Sequence, residues 1–197
     1  QLFTDMRVET NGGVWFGNIW YAVIRPYYTD LDTRVLSSVP NAGVFYDFNA
    51  DRDSVVITWN GVGRDYHNNS LLSTFQLELR DLGEGDAEII FRYTDMQSNA
   101  YYSAMLGPPG APNFILNDLL GPGADLDTLI GNTGVAGVLQ FRLIDGMLQP
   151  EDLQGQMLLG TGADDLLTGG VFADRLLGWA GNDTLIGGNG ADTLNGG

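Results

Sequence analysis

Apolar residues follow two unlike patterns along this chain. Through residue 148 they form short runs of strand type. Residues 55–59 (VVITW) and 89–93 (IIFRY) are rich in β-branched and aromatic side chains, residues 75–79 (FQLEL) alternate apolar with polar, and residues 138–144 set Leu139, Phe141 and Leu143 on one face. Turn-forming clusters separate these runs, at residues 11–13, 60–63, 83–85 and 107–112. No segment carries a long amphipathic helix, although residues 114–120 have the length for a helical turn or two. The economical architecture is all-β, an antiparallel β-sandwich. After residue 160 the spacing changes: Leu167, Leu176, Leu185 and Leu194 recur every nine residues. That period predicts three-residue strands, each with one leucine turned inward, stacked so that neighbouring coils bury what one coil cannot bury alone.

Written out, residues 160–195 read GTGADDLLT, GGVFADRLL, GWAGNDTLI and GGNGADTLN, and Gly196 and Gly197 open a fifth unit. Asp165, Asp174, Asp183 and Asp192 hold the sixth place of the units. A Gly/Asp-rich linker would have no reason to keep four aspartates and four leucines in one register. Calcium gives a reason: it takes six to eight hard oxygen ligands, and a short loop supplies them from carbonyls plus a carboxylate if glycines let the carbonyls converge. The G-G-x-G-x-D-x-U-x pattern resembles the RTX calcium-binding repeats.

That resemblance implies a right-handed parallel β-roll over residues 158–197, reached through a linker at 149–157. One coil takes two nonapeptides, with calcium between a loop and the loop two units later. It implies carbonyls from the first and third places of the earlier loop, from the second and fourth of the later one, and both sixth-place aspartates. One site then uses Gly160, Gly162, Asp165, Trp179, Gly181 and Asp183, and the next Gly169, Val171, Asp174, Gly188, Gly190 and Asp192. A third is half-built from Gly178, Ala180 and Asp183. The fourth place is Ala163 and Phe172 in the first two loops but Gly181 and Gly190 in the last two, so the non-glycines fall where they do least harm.

Composition fits a cation-binding protein. The chain has no Cys, nine Arg and no Lys, and 25 acidic residues, for a net charge of -16. Such a surface argues against nucleic acid or an anionic membrane as partner. Without metal the array's carboxylates repel, and its small apolar surface predicts disorder until calcium binds. Absence of cysteine suits a protein exported unfolded and stabilised by metal. The sequence has no initiator Met, no cleavable signal sequence and no apolar run able to span a bilayer, and it reads as a fragment. RTX resemblance implies export through a one-step carrier and folding outside the cell, where affinities of ~0.1 to 1 mM suffice.

The first 148 residues carry a second resemblance. The runs IRPYYTDLDTR (24–34), VFY (44–46), VVITWNGVG (55–63), STFQLEL (73–79), IIFRY (89–93) and GVAGVLQFR (134–142) resemble in order and spacing the NIDO domain of extracellular matrix and surface proteins. The resemblance implies a cell-matrix or surface adhesion role without catalysis, with matrix, glycan or a surface protein as partner. Other residues read more plainly. Asp30 and Asp32 are expected to set local structure near Arg34, with a cation site as the sharper alternative. Asp47, Asn49, Asp51 and Asp53 open like an EF-hand loop, but Arg52 stands where Gly is needed and Thr58 where Glu is needed, so a solvated turn is expected, with a weak extra calcium site as the alternative. His67 is the sole histidine and reads as a surface residue in a polar turn. No serine-hydrolase, zinc-protease or P-loop constellation can be assembled, so no enzyme is expected. Three roles follow: an adhesion protein, an accessory region of a larger toxin or hydrolase, or a self-assembling surface component.

Overall fold

The computed structural model describes residues 5–17, 23–33, 39–64, 71–97, 103–107, 114–115 and 125–197. Among them the chain is all-β, with short 3₁₀ turns at Ala50–Arg52 and Pro150–Leu153 and no α-helix. No described helix is long and apolar enough to cross a membrane. Strands β1 (Met6–Glu9), β2 (Gly13–Phe16), β3 (Val23–Tyr28), β9 (Ser103–Gly107) and β10 (Phe114–Ile115) form one antiparallel sheet in that order. A larger antiparallel sheet has the order β12 (Met147–Leu148), β11 (Val138–Ile144), β8 (Asp86–Met96), β7 (Leu72–Gly83), β6 (Ser54–Arg64) and β4 (Leu31–Asp32), and β5 (Gly43–Asn49) also pairs with β6. The 114–120 segment, long enough for a helical turn or two, begins as strand; its remainder lies outside the described residues, as do Arg34 and His67.

Register explains why the apolar runs become the core. Trp59 lies opposite Phe75 and Phe75 opposite Tyr93; the next row is Ile57, Leu77, Phe91 and Leu139, and the next Val55, Leu79, Ile89 and Phe141. With a two-residue side-chain period, all of these face one way. Val14, Ile24, Tyr27 and Leu106 of the smaller sheet join them in one apolar cluster. Trp59 stacks on Phe75 with centroids 5.0 Å apart. Its indole Nε1 donates to the Glu9 carbonyl at 2.9 Å, and Tyr93 Oη donates to the Pro26 carbonyl at 2.6 Å, so the buried polar tips tie one sheet to the other. At Gly12, in the β1–β2 turn, φ is +83° and a β-carbon would collide with the Tyr27 carbonyl.

The opposite face of the larger sheet is an ion-pair network. Glu78 accepts from Arg92 at 2.6 Å and from Arg80 at 3.2 Å, Arg80 also pairs with Glu88, and Glu88 accepts from Gln140 at 2.5 Å. Burial alone would push the Glu78 carboxyl up, but the two guanidiniums outweigh it and hold it below its ordinary value. Thus the polar half of the FQLEL alternation is itself largely withdrawn from water.

Past Leu148 the strands shorten to three residues. Strands β13 (Met157–Leu159), β15 (Arg175–Leu177) and β17 (Thr193–Asn195) form one parallel sheet, and β14 (Leu166–Thr168) and β16 (Thr184–Ile186) another. Partners in every pair are 18 residues apart, so two nonapeptides make one turn. The stretch 149–157, read above as a linker, contains the Pro150–Leu153 turn and the first residue of β13. Asp152 there anchors Arg142, with Oδ1 accepting from the guanidinium at 2.7 Å and Oδ2 from the backbone N–H at 2.6 Å. The two regions also share apolar packing, because Val171 and Phe172 belong to the same cluster as Leu126, Leu139 and Phe141.

Candidate calcium site

Each nonapeptide turns sharply between its three-residue strand and the next, and the first-place glycine makes the turn possible. A β-carbon on Gly169, Gly178 or Gly187 would run into the Oδ2 of Asp174, Asp183 or Asp192 of the same unit, and one on Gly160 would sit 3.0 Å from Asp165 Oδ2. Each sixth-place carboxylate therefore folds back over its own loop in a cradle that any side chain would fill.

The other carboxylate oxygen reaches the coil before. Asp183 Oδ1 accepts from the Asp165 N–H at 3.0 Å, and Asp192 Oδ1 from the Asp174 N–H at 2.9 Å. The same bond appears one unit earlier than the sequence pattern suggested: Asp174 Oδ1 accepts from the Gln156 N–H at 2.6 Å. Gln156 thus occupies a sixth place, and Leu158, nine residues before Leu167, an eighth. The signal was present in the spacing of the leucines; the absent aspartate hid it.

Backbone conformation differs between earlier and later loops. Second and fourth places take the left-handed region in the third loop, Trp179 at +70° and Gly181 at +131°, and in the fourth, Gly188 at +92° and Gly190 at +116°. No residue of the first two loops does so. For a bulky residue such as Trp179 this conformation is costly, on the order of 1–3 kcal/mol, and the surrounding coil has to enforce it. Later loops stack closely on earlier ones, since a β-carbon at Gly181 would meet the Ala163 carbonyl and one at Gly190 the Phe172 carbonyl, each at 2.5 Å.

Of the first expected ligand set, Gly160 meets Asp165, Asp165 meets Asp183, and Gly160, Gly162 and Trp179 line one open recess. Of the second, Gly169 meets Asp174, Asp174 meets Asp192, and Gly169 and Gly188 line a recess that also includes Asp125 and Thr128. Val171 is buried, with 1% exposure, where the sequence had offered it only as a carbonyl donor. In the half-built set, Gly178 meets Asp183 and Ala180 is exposed. Among the described residues no three acidic, cysteine or histidine side chains gather, inside the repeats or outside them, so any site in the loops depends on carbonyls as well as carboxylates; Asp30 is exposed, Asp32 is buried in β4, and residues 47–53 form a hairpin turn in which Asn49 Oδ1 accepts from the Asp51 N–H at 3.1 Å.

One oxygen tests whether the loops suit a cation. Asp165 Oδ2 accepts from the Thr161 N–H at 2.7 Å and its hydroxyl at 2.9 Å, and Asp174 Oδ2 from the Gly170 N–H at 2.5 Å. Asp183 Oδ2 is buried and has no donor. An orphaned buried acceptor costs roughly 1–3 kcal/mol, more when charged. A hard cation removes that cost, and hard oxygen donors are what calcium requires.

Residues 159–194 match the family of the RTX calcium-binding nonapeptide repeat, in four copies. No curated protein and no solved structure matches the chain. The repeats bind calcium, and repeats of this family are typical of secreted proteins.

Proposed function

We propose that the chain is a secreted or surface-associated calcium-binding protein of extracellular or cell-matrix adhesion, without catalytic activity. In this reading residues 158–197 fold as a right-handed β-roll on calcium, and residues 1–148 form a NIDO-like sandwich that serves as the interaction surface. The carrying observation is the orphaned Asp183 Oδ2 within a coil of RTX repeats. Asp165, Asp183, Asp174 and Asp192, with the loop carbonyls named above, would hold the metal. Bound calcium supplies the positive charge that lets carboxylates of successive coils lie together.

Support for an interaction surface comes from edge strand β5. Tyr46 and Phe48 are each 70% exposed, with their rings edge to face at 5.7 Å. Exposed aromatics on a rigid strand offer stacking to a glycan or a protein chain. The chain's charge of -16 favours neither nucleic acid nor membrane insertion.

The test is a calorimetric calcium titration of the full chain, with circular dichroism before and after chelator. Uptake of about two ions with a gain of β signal is expected from the two complete loop pairs. A flat titration would remove the calcium reading altogether. Retention on immobilised matrix glycoproteins or glycans, lost in Tyr46→Ala/Phe48→Ala, tests the adhesive part.

A further inference from the structure

The second nonapeptide departs from the others in a directed way. Its third and fourth places are Val171 and Phe172, 1% and 3% exposed, where the other units have small or polar residues that are exposed. Both side chains lie in the apolar cluster of the larger sheet. Its second place, Gly170, approaches the Ile130 carbonyl so closely that no β-carbon would fit.

These contacts converge on one carboxylate. Asp174 is 3% exposed, and its oxygens accept from two backbone N–H groups, those of Gln156 and Gly170. Each of these residues is fixed to the same short segment of the amino-terminal region: the Gln156 side-chain Nε2 donates to the Gly131 carbonyl at 2.9 Å, and Gly170 lies against Ile130. That segment is in turn locked to β11. A β-carbon on Gly131 would strike Leu139, and Asn132 Oδ1 accepts from the Gln140 N–H at 3.0 Å. The expected first site has no such support. Asp165 is held by Thr161 of its own loop, and Asp183 Oδ2 by nothing.

We propose that the two calcium sites are unequal and that the one built on Asp174 and Asp192 is coupled to the amino-terminal sheets. Docking through Val171, Phe172 and Gln156 orients the Asp174 carboxylate, and metal at this site stabilises the sheets against which the loop is packed. Coupling of this kind is reciprocal: whatever the sheets add to calcium affinity, calcium returns to the sheets. The inference rests on the calcium reading of the repeats.

The decisive variant is Phe172→Gly, which restores the glycine that the repeat pattern prefers at the fourth place. If the array were independent, this change would leave calcium binding intact or improve it. Coupling predicts the reverse: calorimetry on the full chain should show one of the two sites weakened by about tenfold and the other unchanged. Hydrogen exchange gives a second readout. In the wild type, amides of β6, β7, β8 and β11 should gain protection with calcium, and in Phe172→Gly that gain should disappear. Because loss of a buried phenyl can unfold the region, Gln156→Ala serves as the second variant. It cuts the link to Gly131 without touching an apolar side chain, and it should weaken the same site by a smaller factor. Unchanged titrations in both variants, or exchange rates indifferent to calcium in the wild type, would overturn the coupling while leaving two functional sites. A wild type that takes up no calcium overturns the calcium reading itself.

Discussion

The amino-terminal sheets and the repeat array are both built from strands, yet they hold together for different reasons. In the sheets, Trp59, Phe75, Leu77, Phe91 and Phe141 are fully buried, and Trp59 Nε1 and Tyr93 Oη find backbone partners. In the array, Leu176 alone of the repeat leucines is fully buried, and Leu194 is 47% exposed. A leucine contributes roughly 1.5–3 kcal/mol only where it is fully buried, and apart from the second unit, which also buries Val171 and Phe172, each unit has one eighth-place leucine and that only partly covered. Ordering its backbone costs on the order of 1–2 kcal/mol for every one of nine residues. Hydrophobic burial therefore suffices for one region and fails in the other, where stacking against a neighbour and charge neutralisation have to make up the difference. An apolar period in a sequence identifies which side chains turn inward; it does not say whether what they meet is enough.

Substitutions can sharpen the contrast. Trp59→Ala removes the largest buried side chain of the sheets and should destabilise them by about 3–5 kcal/mol, seen as a lower thermal midpoint with and without calcium. A loss confined to the calcium-bound form would show that the sheets lack a core of their own. Asp183→Ala acts on the array alone: one ion should vanish from the calorimetric stoichiometry, and with it about 2.7 kcal/mol of stabilisation at calcium a hundredfold above Kd. Full uptake in that variant would break the assignment of Asp183. Glu78→Gln has the smallest effect, about 1 kcal/mol at neutral pH. Since the folded carboxyl titrates below its ordinary value of 4.5, its contribution is present above that pH and is lost as pH falls through the folded value. Urea unfolding into the acid range should show a shallower loss in the variant, and parallel curves would dismiss the network as a source of acid sensitivity.

Much of this was legible beforehand, for identifiable reasons. The runs at 55–59, 75–79 and 89–93 lie within β6, β7 and β8, and 138–144 is the whole of β11, because β-branched and aromatic residues suit a half-buried pleat. The full lengths of β6, β7 and β8 were not legible. β7 continues through Arg80 and Asp81, and β8 begins at Asp86 and includes Glu88, where ion pairs rather than apolar side chains hold the pairing. At the site, the nine-residue period located every sixth-place aspartate, whereas the burial of the Val171 and Phe172 side chains could not be read from it. Read against the repeat pattern Phe172 is a tolerated non-glycine and Val171 a carbonyl ligand; in three dimensions both side chains also join the apolar cluster of the sheets. No local rule reveals this, since the other members of the cluster, among them Leu126, Leu139 and Phe141, are distant in sequence.

The bonds from Gln156, Asp165 and Asp174 to the aspartate 18 residues later all run the same way, the amide on the earlier coil and the carboxylate on the later one. Such a stack has a polarity. Gln156 offers an amide but no carboxylate, and its side chain is already committed to Gly131, so it acts as a seed fixed to the sheets. Each further coil reads the one beneath it and presents the same face to the next. Coils can then be added or removed at the far end without redrawing the junction, which leaves the reach of the array free to vary while its point of attachment stays constant.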